Sequence, residues 1–356
     1  MWEITEQDLA PISIGAAILG TGGGGNPYLG FLRVRRHVRA GRRIEVIDPT
    51  EVRDSDLLVS TGGMGSPVVS YEKIAQGEEE TNAVRALEEY LGRKFDAIAP
   101  FEMGGGNSMA PLVVSALLGI PVVDGDGMGR AFPELQMITY LIYGGPAFPS
   151  AIADERNNRV VFSPVLDASW LEKLARSVTI EMGGHAGLAT AVMDGAHCRR
   201  TIIPNTLRLA HSIGRQVLEA RRASRDPVQA VTDLTGGRRY LRGKVVDVSR
   251  RTTQGFAKGS ITVEGVGDDQ GRQIRIDFQN ENLVIWEGGE PQVVVPDLIT
   301  LVGTDDSQPI TTELVRYGLR ADVLVLPCPE LLRTEKALAV VGPRAFGFEM
   351  DYEPFS

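Results

Sequence analysis

Leu57-Leu58-Val59-Ser60-Thr61-Gly62-Gly63-Met64-Gly65-Ser66-Pro67 is an apolar run that breaks into glycines, and the chain repeats the device. Ala97-Ile98-Ala99-Pro100 runs into Phe101-Glu102-Met103-Gly104-Gly105-Gly106-Asn107-Ser108. Ile120-Pro121-Val122-Val123 runs into Asp124-Gly125-Asp126-Gly127-Met128-Gly129-Arg130. Ahead of all of these, Ile18-Leu19-Gly20-Thr21 leads into Gly22-Gly23-Gly24-Gly25-Asn26-Pro27. In a parallel sheet such turns lie at the carboxyl ends of the strands, where open α/β folds bind ligands. Glycine permits φ > 0 and lets a ligand approach main-chain N–H groups closely. Their recurrence predicts a small-molecule site.

Working outward, strand-like and helix-like segments alternate up to about residue 165. Helices are expected over Ser13 to Leu19, Pro27 to Ala40, Glu79 to Leu91, Asn107 to Leu118 and Pro133 to Tyr143, with strands near Arg43 to Ile47, Leu57 to Ser60, Ala97 to Ala99 and Val122-Val123. Val84, Leu87 and Leu91 keep helical spacing on one face. Such alternation implies parallel pairing with right-handed crossovers. Helices are also expected from Ser169 to Ala175 and from Asn205 to Ala223. From about residue 240 short strand-like runs separated by turn residues take over, including Gln273 to Gln279 and Asp322 to Leu326. The expected fold is an α/β N-terminal domain, residues 1–166, with a mostly parallel sheet and Gly-rich strand-to-helix loops. A second, α+β domain spans residues 167–356, β-rich from about 240.

The 356 residues exceed what one compact core usually holds. Net charge is −9, which argues against nucleic acid or an anionic membrane as a general partner. No stretch approaches the roughly 20 apolar residues of a membrane span, and the N-terminus lacks a signal-peptide pattern. The two cysteines, Cys198 and Cys328, make no disulfide framework, and the expected location is the cytoplasm.

Asp124 and Asp126 stand two residues apart after a strand, followed by Arg130 and Glu134. Such carboxylates activate water, hold a cation or bind substrate N–H groups, and they also cap turns. Glu134 equally suits a helix N-terminus. Glu102 should sit at a strand end beside that of Asp124, facing one cavity with Asp126. Asn107 either hydrogen-bonds a planar amide or caps the following helix. His185, among glycines, is a general base, a metal ligand or a buried imidazole satisfied by backbone. Gly22 to Asn26 resembles a phosphate cradle but lacks the P-loop lysine. Cys328, between two prolines, is either a nucleophile or an inert buried thiol. The polar strings Phe278 to Asn282 and Pro309 to Glu313 either complete a site at the domain boundary or bond the domains together, and the second reading is favoured. The catalytic candidates are therefore Asp124, Asp126, Glu102 and His185. The substrate-binding candidates are Gly23, Gly24, Gly63, Gly105, Asn107, Arg130 and Glu134.

Five strings, Leu19–Tyr28, Asp126–Met137, Arg250–Gly259, Phe278–Asn282 and Val295–Ile299, together resemble the S-methyl thiohydantoin desulfurase family. The resemblance runs from about residue 7 to 354. It implies a two-domain hydrolase that converts an S-methyl thiohydantoin to a hydantoin and methanethiol. Water would add at the sp² ring carbon, activated by Asp124 or Asp126, by His185, or by a divalent metal such as zinc. Asn107 or Arg130 would orient the ring. The implied partners are a small-molecule ring substrate, a second copy of the chain, or a hydantoinase/oxoprolinase-type protein. The alternatives are a non-catalytic accessory subunit of such an enzyme and a metabolite- or nucleotide-binding sensor.

Overall fold

A computed structural model describes residues 1–25, 27–65, 69, 72–253 and 256–355. Asn26, Ser66, Pro67, Gln254 and Gly255, which belong to strings quoted above, lie outside the described residues.

The glycine turns do fall at strand ends. Strands β1 (Trp2–Glu3), β2 (Glu45–Ile47), β3 (Leu57–Gly65), β4 (Ala97–Ile98) and β5 (Val122–Val123) are followed by β6 (Gly125–Asp126), β7 (Ser150–Ala153), β8 (Arg159–Phe162), β9 (His185–Asp194) and β10 (Ile203–Pro204). Eight of them form a mixed sheet in the order β1-β2-β5-β4-β3-β9-β7-β8. Its heart is parallel: β2 pairs with β5, β5 with β4, and β4 with β3. The strands toward both edges run antiparallel. β9 lies in the C-terminal half of the chain yet pairs with β3, setting Gly63 opposite Gly187 and Gly65 opposite His185. The small-residue island after the helix Ala168–Glu181 is thus the start of a strand, which brings His185 to the glycine turn of β3. β6 and β10 form a separate two-stranded ribbon, with Asp126 paired to Ile203.

Helix Glu79–Leu91 keeps the expected bounds and ends on a left-handed Gly92. Helix Glu6–Leu19 starts earlier than its apolar stretch, because Thr5 and Asp8 form a capping box. It crosses the helix Thr206–Arg222 closely: a Cβ at Gly15 would stand 1.8 Å from the Ala210 carbonyl oxygen, and one at Gly214 1.9 Å from that of Pro11. The helix expected from Pro133 to Tyr143 is a 3₁₀ turn, Leu135–Met137, and a single α-turn, Thr139–Ile142. Its apolar residues are nearly all buried, so burial rather than amphipathic periodicity set that pattern.

The second sheet is wholly antiparallel. It contains β11 (Arg238–Thr253), β12 (Phe256–Gly265), β13 (Gln273–Gln279), β14 (Glu281–Glu287), β15 (Glu290–Val294), β16 (Leu298–Gly303), β17 (Pro309–Ile310) and β18 (Arg320–Leu326). Their order is β15-β14-β13-β12-β11-β18-β16-β17. Side chains alternate across it: Val284 joins the large core of the first layer, whereas its neighbour Ile285 joins a smaller cluster on the opposite face. The two layers therefore share one core.

They are also pinned together. The tight turn between β13 and β14 has Asn280 at φ +58 and buries Asn280, Glu281 and Asn282 against the glycine loop of residues 20–25. The Asn282 N–H donates to the Thr21 carbonyl at 2.8 Å, and the Thr312 N–H to that of Gly22 at 2.8 Å. Arg130, fully buried, donates to the Thr21 hydroxyl and to the carbonyls of Asn282, Pro296 and Asp297 at 2.8–3.1 Å. Removing its guanidinium would leave several acceptors unpaired in the interior, each costing about 1–3 kcal/mol. Arg130→Met is expected to lower unfolding free energy by about 3 kcal/mol or more in urea titration. Arg130→Lys should fail to restore it, because an ammonium cannot span the fork of acceptors.

Candidate functional site

Three glycine turns meet where the two layers join. Gly24 and Gly105 both adopt positive φ, +74 and +58, and their backbones touch: the Gly106 N–H donates to the Gly25 carbonyl and the Asn107 N–H to that of Gly24. A Cβ at Gly105 would lie 2.5 Å from the Gly24 carbonyl carbon, so side chains there would force the loops apart. Asn107 ties in the third turn. Its Oδ1 accepts from the Gly63 N–H at 2.7 Å, and its Nδ2 donates to the Gly63 carbonyl at 3.2 Å and to Glu102 Oε1.

The result is a cleft whose walls include Gly24, Gly25, Gly63, Glu102, Asn107, His185 and Glu281. Met64, Phe101, Met128, Phe132 and Leu135 give it an apolar side suited to a small planar ring. A second lobe opens past His185 and contains Arg33, Lys73, Glu79, Glu80 and Glu155. Two of its three carboxylates are paired: Arg33 bonds Glu80 at 2.6 Å and 3.0 Å, and Lys73 pairs with Glu155 at 2.6 Å and donates to the His185 carbonyl at 2.7 Å, while Glu79 accepts from the Gln76 and Gly77 N–H groups. Arg33 holds Glu80 down to about 2, against its burial.

Burial decides the protonation of the main cleft. Glu102 is 3% exposed. Desolvation holds its carboxyl well above the usual range, helped by the nearby Glu281 and Asp126 charges and opposed by Asn107 and the Phe132 N–H. One of its oxygens is fixed by Asn107, and the other, Oε2, has no hydrogen-bond partner. Desolvation pushes Glu281 up to about 8, although Arg130 and the Gly24 N–H oppose it. His185 is lowered instead, because burial disfavours its imidazolium more than Glu80 and Glu79 favour it. Its Nε2 lies 2.9 Å from where a Gly63 Cβ would stand, and Asn107 Oδ1 lies 3.3 Å from the same point, so imidazole and amide flank one glycine. A carboxyl whose burial favours its protonated form and an imidazole whose burial favours its neutral form share this cleft.

The structure brings Glu102, His185, Asn107, Gly24, Gly63 and Glu134 to the cleft. The expectation that Glu102, Asp124 and Asp126 face one cavity is corrected. Asp124, although β5 does neighbour β4, turns to Arg208, with Oδ2 2.6 Å from Nε, and so anchors the helix Thr206–Arg222. Asp126 is fully buried beneath the lining, and its Oδ2 accepts from the N–H groups of Met103, Met128 and Gly129 at 2.7–3.0 Å. It knots the two glycine turns, with the Thr206 hydroxyl beside its other oxygen, and burial raises it to about 7. Arg130 is spent on the layer junction. Gly23 and Gly105 lie one shell behind the lining. Glu134 reaches the cleft rim, where it bonds Gln136, and stands at the N-cap position of the 3₁₀ turn without a side-chain capping bond.

Glu281, placed by sequence in a bonding knot between domains, lines the cleft; its signal was four polar side chains at one strand end. Lys73 and Glu80 were not foreseen. Among the described residues no three His, Cys, Asp or Glu side chains converge to hold a metal ion, so zinc finds no donor set here. No described helix is long and apolar enough to cross a membrane.

Two family models match the chain, an S-Me-THD-like N-terminal domain over residues 7–164 and an S-Me-THD-like C-terminal domain over residues 166–355. The chain belongs to the S-Me-THD-like family. No curated protein matches it. A crystal structure of a protein from Chromobacterium violaceum shares the fold, with 24% identity, a TM-score of 0.79 and 100% of both chains covered.

Neither cysteine belongs to the cleft. Cys328 Sγ contacts Arg333 and Tyr352 and is pushed up to about 11, chiefly by burial, while Cys198 is pushed to about 12. A thiol-reactive dye at pH 8 should label neither in the folded protein and both after denaturation. Fast labelling of Cys328 in the native state would contradict this assignment.

Proposed function

We propose that this chain is a hydrolase of S-methyl thiohydantoin-like rings, with Glu102 as proton donor and His185 as proton acceptor. The observation that carries the reading is the buried Glu102 carboxyl, one oxygen pinned by Asn107 and the other unpartnered, facing a cleft shared with a neutral imidazole. Groups whose surroundings push their proton affinities apart are the usual mark of paired acid and base. Family membership supports the substrate class.

The chemistry proceeds in two steps. A water oxygen adds to the ring carbon that carries the methylthio group, and its proton passes to His185 Nε2. The C=N electron pair collapses onto ring nitrogen, which takes the Glu102 proton. Then the C–S bond breaks, the new hydroxyl becomes the hydantoin carbonyl and passes its proton to water, and methanethiolate takes the proton held on His185 Nε2 and leaves as methanethiol, which returns the imidazole to its neutral form. The glycine-turn amides around Gly24 and Gly63 are preorganised dipoles for charge that develops on ring oxygen or nitrogen. Met64, Met128 and Phe132 offer soft, apolar contact to the methylthio group.

Glu102→Gln keeps the Asn107 contact but has no proton to give, and is expected to lower kcat by about 100-fold or more without a loss of melting temperature. His185→Gln should cost a similar factor. The wild-type kcat/KM profile should be bell-shaped. His185 is lowered from its ordinary 6.5, so its base form appears, and activity rises, below that pH. Glu102 is raised, so its acid form survives, and activity falls, only far above the ordinary 4.5. Methanethiol release measured across pH checks both limbs. Full activity in Glu102→Gln would overturn the assignment.

A further inference from the structure

Three acidic side chains with buried, unpartnered oxygens lie at the cleft and beside it. Glu102 Oε2 and Glu281 Oε2 are buried and without hydrogen-bond partners, in residues 3% and 2% exposed, and both side chains line the cleft. Glu313, partly exposed as a residue, has both carboxyl oxygens buried, with the Thr311 hydroxyl beside them. The backbone fixes their order. Glu281 lies directly on the glycine loop, its Oε1 2.1 Å from where a Gly23 Cβ would stand. Next along, Thr312 donates its N–H to Gly22 at 2.8 Å and its hydroxyl to the Asn280 carbonyl at 2.7 Å, which sets Glu313 beside the same turn. Buried carboxyls with free oxygens are costly unless they hold protons, and adjacent ones titrate as a unit.

We propose that Glu281 and Glu102 form a proton-sharing carboxyl pair across the layer junction, through which Glu313 returns a proton to Glu102 after each turnover. The inference rests on the reading of Glu102 as the proton donor. In the cycle Glu102 loses its proton to ring nitrogen and becomes a carboxylate. Glu281 passes its own proton to that carboxylate, and Glu313 reprotonates Glu281 from solvent. No oxidant or metal takes part. The groups facing the pair are Asp126 on the Glu102 side, Arg130 and Glu313 on the Glu281 side, and His185, Glu134 and Arg176 on the shared cleft wall; Arg250 and the Thr311 hydroxyl face Glu313. Arg130 is held by four carbonyls, Ala131 included, and the Thr21 hydroxyl, and forms no direct ion pair with Glu281. It therefore leaves the Glu281 carboxyl free to carry a proton.

Infrared difference spectroscopy of the substrate-free protein follows the carboxylic-acid C=O band through a pH titration and needs no turnover. Removing a like-charged neighbour lowers a carboxyl's proton affinity. In Glu281→Gln the Glu102 band, identified by its loss in Glu102→Gln, should therefore titrate at lower pH than in wild type. Glu281→Gln should also lower kcat by about 10-fold or more with KM changed less than about 3-fold, and Glu281→Asp should recover part of the rate. Glu313→Gln should slow kcat at low buffer concentration and be rescued by added imidazole buffer. An unmoved Glu102 band in Glu281→Gln overturns the pair. A moved band with unchanged kcat overturns the return path. If wild type releases no methanethiol from any thiohydantoin, the hydrolase reading fails while the titration still decides the pair.

Discussion

The buried guanidinium of Arg130 is the constraint on which the molecule turns. A planar cation with several fixed donors has been withdrawn from water and surrounded by neutral acceptors from both layers. Desolvation lowers it only to about 10, so it stays charged. A charge so placed tolerates little movement of its partners, because each loosened acceptor exposes an expensive group to an interior that cannot solvate it. The tip of β13–β14, the loop at Thr21 and the turn at Pro296-Asp297 therefore hold one arrangement. The cleft inherits its shape from that arrangement, since Gly24 and Glu281 are carried on two of the three segments.

The same logic separates residues that react from residues that hold. Asp126, Asp124 and Arg130 occupy the positions in the glycine turns that look most chemical in the sequence, and each is held by several groups of its own chain, although Asp126 Oδ1, like Glu102 Oε2, is buried without a hydrogen bond. Glu102, one strand over, is held by fewer. Its carboxyl takes one hydrogen bond from a neutral amide, and burial together with the neighbouring Glu281 and Asp126 carboxyls favours its protonated form. Distance along the chain from a glycine turn gives no hint of this difference, which depends on which way a loop folds over its own backbone N–H groups.

The parallel heart of the first sheet, the helix Glu79–Leu91 and most strands of the second sheet were legible because they rest on local periodicity and turn residues. The gathering of Glu102, Asn107, Gly24 and Gly63 was legible too, since open α/β sheets collect such turns at one end. What the sequence hid was long-range. β9 inserts antiparallel next to β3 and delivers His185, and no pattern within residues 183–194 names its partner. Glu281 was visible as part of a polar knot, but its role as a wall depends on docking against residues 20–25, far away in the chain. The apolar stretch after Pro133 looked helical because burial on every side imitates a helix pattern.

The docking of the β13–β14 tip has a consequence for how such chains diversify. The sequence boundary near residue 165 is where modular recombination would cut most simply, yet the two walls of the cleft come from opposite sides of it. Grafting either half onto an unrelated partner would deliver half a binding surface and an orphaned interior cation. New specificities in this architecture should therefore arise by point substitution along the apolar wall, with both halves inherited as a unit.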